Sequence, residues 1–267
     1  MSFVGIELNR PMEVRTGKAL DIKSVSVEFD GFKALTDVTV GVKRNTIHFF
    51  IGPNGAGKTT LLDIICAKTK PTSGTVHFYP AEGYEILLTG MKEYEIVNAG
   101  VGRKFQVPSV FTEISVYENM VLSLSGNKRI FASIFRKTSA EENDLIADVL
   151  DKVGLTEHAN KKAGSLSHGQ KQWLEIGMQL AARPKIIMLD EPAAGMGKPE
   201  TFKTGELLQR IKDICTVIVV EHDMEFVKQV ADNVTVLHEG KVLIEGNIDD
   251  VLADETVQKV YLGRGGD

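Results

Sequence analysis

The sequence predicts an α/β protein in which a mostly parallel core sheet carries an antiparallel β edge and an inserted helical lobe. Residues 186–189 and 217–220 are continuous apolar runs separated by a helix-spaced segment at 200–213. That pattern marks parallel strands buried on both faces and joined by a right-handed crossover. Residues 22–42 instead alternate, with Ile22, Val25, Val27 and Phe29, then Leu35, Val38, Val40 and Val42, across an Asp30-Gly31 turn. This reads as antiparallel strands. Between residues 112 and 164 the apolar spacing changes to three and four, predicting helices at 116–123, 127–135 and 140–153.

The remaining elements follow in order. Residues 1–18 are polar, contain Pro11 and Gly17 and show no period, so residues 1–19 are assigned to a lead-in. Residues 46–51 predict a short buried strand, 60–67 a helix, and 76–78 and 85–88 further strands flanking it. A helix is expected at 171–182, strands at 234–237 and 241–245 around Glu239-Gly240, and a small helix at 248–252. The division is a core of 20–111 and 165–267, with a helical subdomain at 112–164.

Composition bounds the function. A chain of 267 residues, 43% hydrophobic and 25% charged, can bury a full core, and a net charge of −5 weighs against nucleic acid as the main partner. Cys66 falls in the helix at 60–67 and Cys215 beside a strand, without metal-type spacing; both read as apolar fillers in a reducing compartment. The longest apolar runs, such as 216–220, fall far short of a bilayer span of about 20 residues, so the chain is not expected to cross a membrane itself.

Gly52-Pro53-Asn54-Gly55-Ala56-Gly57-Lys58-Thr59-Thr60 lies between the strand at 46–51 and the helix that follows. This is the setting of a phosphate-binding loop: glycines let backbone N–H groups point inward at an anion, and the helix N-terminus adds its partial positive charge. Lys58 would reach the β- and γ-phosphates of ATP, and Thr59 would offer its hydroxyl to Mg²⁺. Residues 186–189 run into Asp190 and Glu191, at the carboxyl end of a strand where α/β sheets bind ligands. Asp190 can hold a Mg²⁺-bound water, and Glu191 can act as general base toward the water attacking the γ-phosphorus.

Leu166-Ser167-His168-Gly169-Gln170, placed before a helix expected from Lys171, resembles the signature sequence of ATP-binding cassette (ABC) proteins. The order of phosphate loop, signature, acidic strand and histidine is also theirs. Ser167 and the Gly169 N–H, with Gln170 beside them, make a second phosphate cradle at a helix N-terminus. The resemblance implies two cassettes packed head to tail, each nucleotide lying between the loop of one and the signature of the other. It further implies that Phe29 stacks on adenine, that Gln106 touches Mg²⁺ or the attacking water, and that His222 contacts the γ-phosphate. The loop Pro192-Ala193-Ala194-Gly195-Met196-Gly197 would face the partner, and it lacks the aspartate common there in ABC proteins.

Glu191-Pro192-Ala193-Ala194-Gly195, Glu221-His222-Asp223-Met224 and Tyr261-Leu262-Gly263-Arg264-Gly265 resemble ATP-binding subunits of the branched-chain amino acid uptake family. Gly102-Arg103-Lys104-Phe105-Gln106-Val107-Pro108-Ser109-Val110-Phe111 and Leu166-Ser167-His168-Gly169-Gln170-Lys171-Gln172-Trp173-Leu174-Glu175 are most similar to its urea-uptake branch. The resemblance implies a peripheral ATPase on the cytoplasmic face of the plasma membrane, with ATP and Mg²⁺ as cofactors. Its partners would be a second cassette, transmembrane permease subunits docking beside Gln106 at residues 107–117, and indirectly a solute-binding protein. The alternative is a soluble ABC ATPase of translation or DNA repair. Such proteins usually join two cassettes or carry a long coiled coil, whereas this chain has one phosphate loop and no sustained heptads. A P-loop kinase or GTPase leaves the signature unexplained.

Overall fold

The computed structural model describes residues 17–104, 110–124 and 138–262. Gln106, the helix expected at 127–135 and residues 1–16 lie outside the described residues. Strand β1 (Lys18–Phe29) pairs antiparallel with β2 (Phe32–Lys43), and the Asp30-Gly31 link has φ of 48° and 85°. Positive φ at both positions suits the twist of a two-residue hairpin. The strand starts within the stretch assigned to the lead-in, because Ala19 and Leu20 are already buried and Lys18 pairs with Asp21 at 2.9 Å. After the central strand β3 (Ile47–Ile51) and helix α1 (Lys58–Ile65), β4 (Ser73–Phe78) and β5 (Ile86–Leu87) complete a four-stranded sheet of order β2-β1-β4-β5.

The second sheet has order β10-β9-β3-β8-β7-β6. Helix α2 (Glu93–Ala99) precedes β6 (Val101–Lys104), and β7 (Ile186–Asp190), β8 (Thr216–Val220) and β9 (Asn233–His238) run parallel with β3 and β6. Among the described residues, only the edge strand β10 (Lys241–Gly246) is antiparallel within this sheet. Alternate residues of its strands feed two cores. Phe50, Met188, Ile218 and Val220 pack with Leu61, Leu62 and Ile65 of α1 and with the first sheet. Phe49, Ile187, Leu189, Val217 and Val219 face the opposite way, toward the helices.

Those helices are α3 (Val116–Leu124), α4 (Ala140–Lys152), α5 (His168–Ala181), α6 (Lys198–Ile211) and α7 (Met224–Val230), with α8 (Ile248–Ala253) and α9 (Glu255–Leu262) closing the chain. Helix α5 begins three residues before the expected Lys171. Ser167 caps it: its hydroxyl accepts from the Gln170 N–H at 3.2 Å while Gln170 Oε1 accepts from the Ser167 N–H at 3.0 Å. This reciprocal box satisfies two orphan donors and draws His168, Gly169 and Gln170 into the first turn. Cys66 also differs from expectation. It is the C-cap of α1, is half-buried, and lies 3.2 Å from Arg103 Nη1. Cys215 is buried as expected, and burial pushes its thiol up to about 12.

Candidate active site

Strand β3 is buried throughout and delivers the chain to Gly52, where φ is 151°. A Cβ at Gly52 would lie 2.1 Å from the Leu237 carbonyl oxygen, and one at Gly57, with φ of 99°, would lie 2.5 Å from Leu35 Cδ2. Neither position has room for a side chain, so glycine lets the loop fold flat between the two sheets. The loop is held from within and behind: the Ala56 N–H donates to Pro53 O at 3.1 Å, and the Gly240 N–H donates to Ala56 O at 3.2 Å.

Lys58 opens α1 and is only 8% exposed. Its ammonium donates to Gly52 O at 2.7 Å and Pro53 O at 3.0 Å. Burial lowers its pKa, opposed by the charges of Glu191 and Asp190. Residues 54–60, with Phe29, Phe32 and Glu191, line a cleft of about 360 Å³. Gly52 and Pro53 do not line it and meet the site only through their carbonyls on Lys58. Thr59 is exposed at the cleft.

Asp190 ends β7, and Glu191 immediately leaves the strand with φ of 47°. Positive φ is uncommon for a residue with a Cβ, and here it is fixed by the Glu191 N–H donating to Val220 O at 2.9 Å. The turn separates two adjacent carboxylates. Asp190 faces Arg103, whose Nη2 lies 3.6 Å away and whose Nη1 pairs with Asp63 of α1. Burial raises the Asp190 pKa, Arg103 opposes the rise, and Glu191 adds to it. Glu191 leans instead toward the cleft, with His222 Nδ1 at 3.4 Å from its Oε1.

Lys58, Asp190, Glu191 and His222 are thereby linked in one place, with Phe29, Thr59 and Thr60 lining the adjoining cleft. Ser167, Gly169 and Gln170 do not line it. The Ser167 hydroxyl donates to Glu200 Oε1 of α6 at 2.8 Å, and that carboxylate lies over Gly169. Phe32, Arg103, Glu200 and Glu221 carry contacts that motif reading assigned to none of them. Phe32 had a visible signal, an aromatic directly across the turn from Phe29. Thr59 and Asp190 offer oxygen donors of the kind taken by Mg²⁺, a hard cation that completes its shell with water and phosphate.

A phosphate loop on a β3–α1 turn, an acidic strand end beside it and a capped signature helix on the far side of the sheet define an ATP-binding cassette. Residues 35–194 match the ABC transporter family, and the chain belongs to it. The branched-chain amino acid transport ATP-binding protein BraF of Pseudomonas aeruginosa is 34% identical over 91% of this chain and 97% of its own length. The corresponding LivG proteins of Salmonella typhimurium and, probable by its name, Archaeoglobus fulgidus are 33% and 32% identical over 91% and 92% of the chain, and 97% and 96% of their own lengths. The solved ADP conformation of an ABC transporter cassette superposes with a TM-score of 0.80 at 30% identity, covering 93% of this chain and 100% of that one. A dimeric cassette solved in a post-hydrolysis state with ADP and Pi gives a TM-score of 0.68 at 26% identity, covering 86% and 98%. The chain is an ATP-binding cassette ATPase of the kind coupled to transport. Among the described residues no helix is long and apolar enough to cross a membrane.

Proposed function

We propose that the chain is the ATP-hydrolysing motor of an importer, one of two cassettes that close over two MgATP and move separate permease subunits. The observation that carries this is the convergence of Lys58, Asp190, Glu191 and His222 beside the cleft walled by residues 54–60. Loop N–H groups and Lys58 bind the phosphates, and Phe29 stacks on adenine with Phe32 beside it. Thr59 and Asp190 would hold Mg²⁺, together with Gln106; when bound, the ion neutralises charge on the phosphate oxygens. Glu191 takes the proton of the attacking water, and His222 orients that carboxylate and meets the γ-phosphate.

Ser167, Gly169 and Gln170 lie off this cleft, which supports their serving a nucleotide held by the second cassette; that a similar cassette is dimeric with ADP and Pi bound supports pairing. Nucleotide drives closure through its differential affinity for the closed pair, and inverting a mostly open population takes about 5.5 kcal/mol. Exposed Phe111 supports permease docking along residues 107–117 at the cytoplasmic face of the membrane. Permeases and a solute-binding protein choose the solute. The relatives' names support a branched-chain amino acid, and the strings at 102–111 and 166–175 support urea. The transport names weigh against a role in translation or DNA repair.

Glu191→Gln tests the assignment. MgATP affinity stays within about twofold, turnover falls by about 100-fold or more, and an ATP-dependent dimer accumulates in sedimentation. Unchanged turnover removes Glu191 from the chemistry. Uptake of labelled leucine and labelled urea, with and without the intact chain, decides the solute.

A further inference from the structure

Glu221 follows β8 and is 2% exposed. Its Oε1 accepts from the Ala193 N–H at 3.3 Å, in the loop that follows Glu191. Its Oε2 accepts from the N–H groups of His222 at 3.0 Å and Asp223 at 3.4 Å. One carboxylate therefore serves two loops, one oxygen each. Burial raises its pKa on balance, opposed by these backbone donors and by His222, whose Nδ1 lies 3.8 Å from Oε2. The Glu221 N–H also faces Phe50 O of β3 at 3.4 Å, which places the junction against the strand leading to the phosphate loop.

We propose that Glu221 is a positioning residue for ATP hydrolysis, its carboxylate tying the loop after Glu191 to the segment bearing His222 and so fixing the 3.4 Å approach of His222 to Glu191. The inference rests on the roles proposed above for Glu191 and His222. Glu221 does not line the cleft and acts only through its neighbours. Only an acceptor on both arms fits. An amide offers one oxygen, and its NH₂ turns a donor toward the donors of the other loop, so one tie is lost at constant volume. Aspartate keeps the charge but is one methylene too short to reach both loops.

The test sets Glu221→Gln and Glu221→Asp beside wild type and Glu191→Gln, with steady-state ATPase rates, a fluorescent-ATP titration and thermal melts. In both Glu221 variants kcat falls at least about tenfold, while KM and nucleotide affinity stay within about twofold. If Glu221→Gln does not fold, the split in Glu221→Asp decides alone. Turnover near wild type in a folded variant overturns the proposal. So does a parallel fall of kcat and nucleotide affinity, which marks general damage. Full turnover in Glu191→Gln instead sinks the underlying assignment of the base, whatever the Glu221 variants do.

Discussion

Lys58 shows how a single side chain is prepared for an anion. Its ammonium is buried, which penalises the charge, and two carbonyls of its own loop hold it at the cleft. Charge-assisted hydrogen bonds are worth roughly 1.5–3 kcal/mol, so Lys58→Ala should weaken ATP binding about ten- to hundredfold, read in a fluorescent-nucleotide titration. Affinity, rather than turnover alone, is the quantity that should move, in contrast to Glu191→Gln. Lys58, Thr59, Asp190 and Glu191 were legible because their neighbours in sequence are also their neighbours in the site. Arg103 and Glu221 were not. Arg103 acts on Asp63 and Asp190, 40 and 87 positions away, and Glu221 acts through backbone donors that any residue type could supply. No residue pattern encodes such partners before the strands are aligned.

The helices were legible where apolar spacing or a cap was strong. Ser167 was legible as an N-cap, as the structure has it, although the helical period shows only from near Lys171, because His168, Gly169 and Gln170 carry no apolar period. Strand β6 was missed for a related reason: Val101-Gly102-Arg103-Lys104 has one large apolar residue, and its strand state comes from parallel pairing with β7. Helix α2 presents one fully buried residue, Ile96, and leaves Tyr94 and Val97 exposed, so it has little pattern to detect. The junction of α5 with α6 carries its own prediction. Glu200 places an anion at the α5 N-terminus and accepts the Ser167 proton, a contact worth about 0.5–1 kcal/mol at a half-exposed site. Under the proposed function, the partner's γ-phosphate needs that same hydroxyl. Glu200→Ala should therefore lower the stability of the isolated chain slightly while raising MgATP-dependent pairing in the Glu191→Gln background. Thermal melts and sedimentation read the two effects, and a fall in both would make Glu200 a support for Ser167 rather than a competitor.

At the scale of the whole molecule, both cores meet at β3, and His48 sits in that strand with its Nε2 2.8 Å from Thr235 Oγ1 of β9. Burial, helped by the positive charge of Lys43, lowers the His48 pKa from 6.5 to about 4. The unfolded chain thus binds a proton at this position below pH 6.5 that the folded chain refuses until about pH 4. Stability supplied by the neutral ring is complete above pH 6.5 and falls on acidification by about 1.4 kcal/mol per pH unit, reaching about 3 kcal/mol near pH 4. Asp190, Glu221 and Glu245 titrate with the opposite sign, because their raised pKa values make the folded chain the better proton binder at acid pH. Total stability therefore mixes the two trends, and a variant is needed to separate them. His48→Gln keeps a hydrogen-bonding group for Thr235 and cannot titrate. Urea unfolding of both proteins between pH 7.5 and 4 should show the variant less stable at the upper end, with the gap closing or reversing by about 3 kcal/mol at the lower. A gap that stays constant across that range would mean the His48 ring is protonated equally in both states, and that acid sensitivity of the central sheet arises elsewhere.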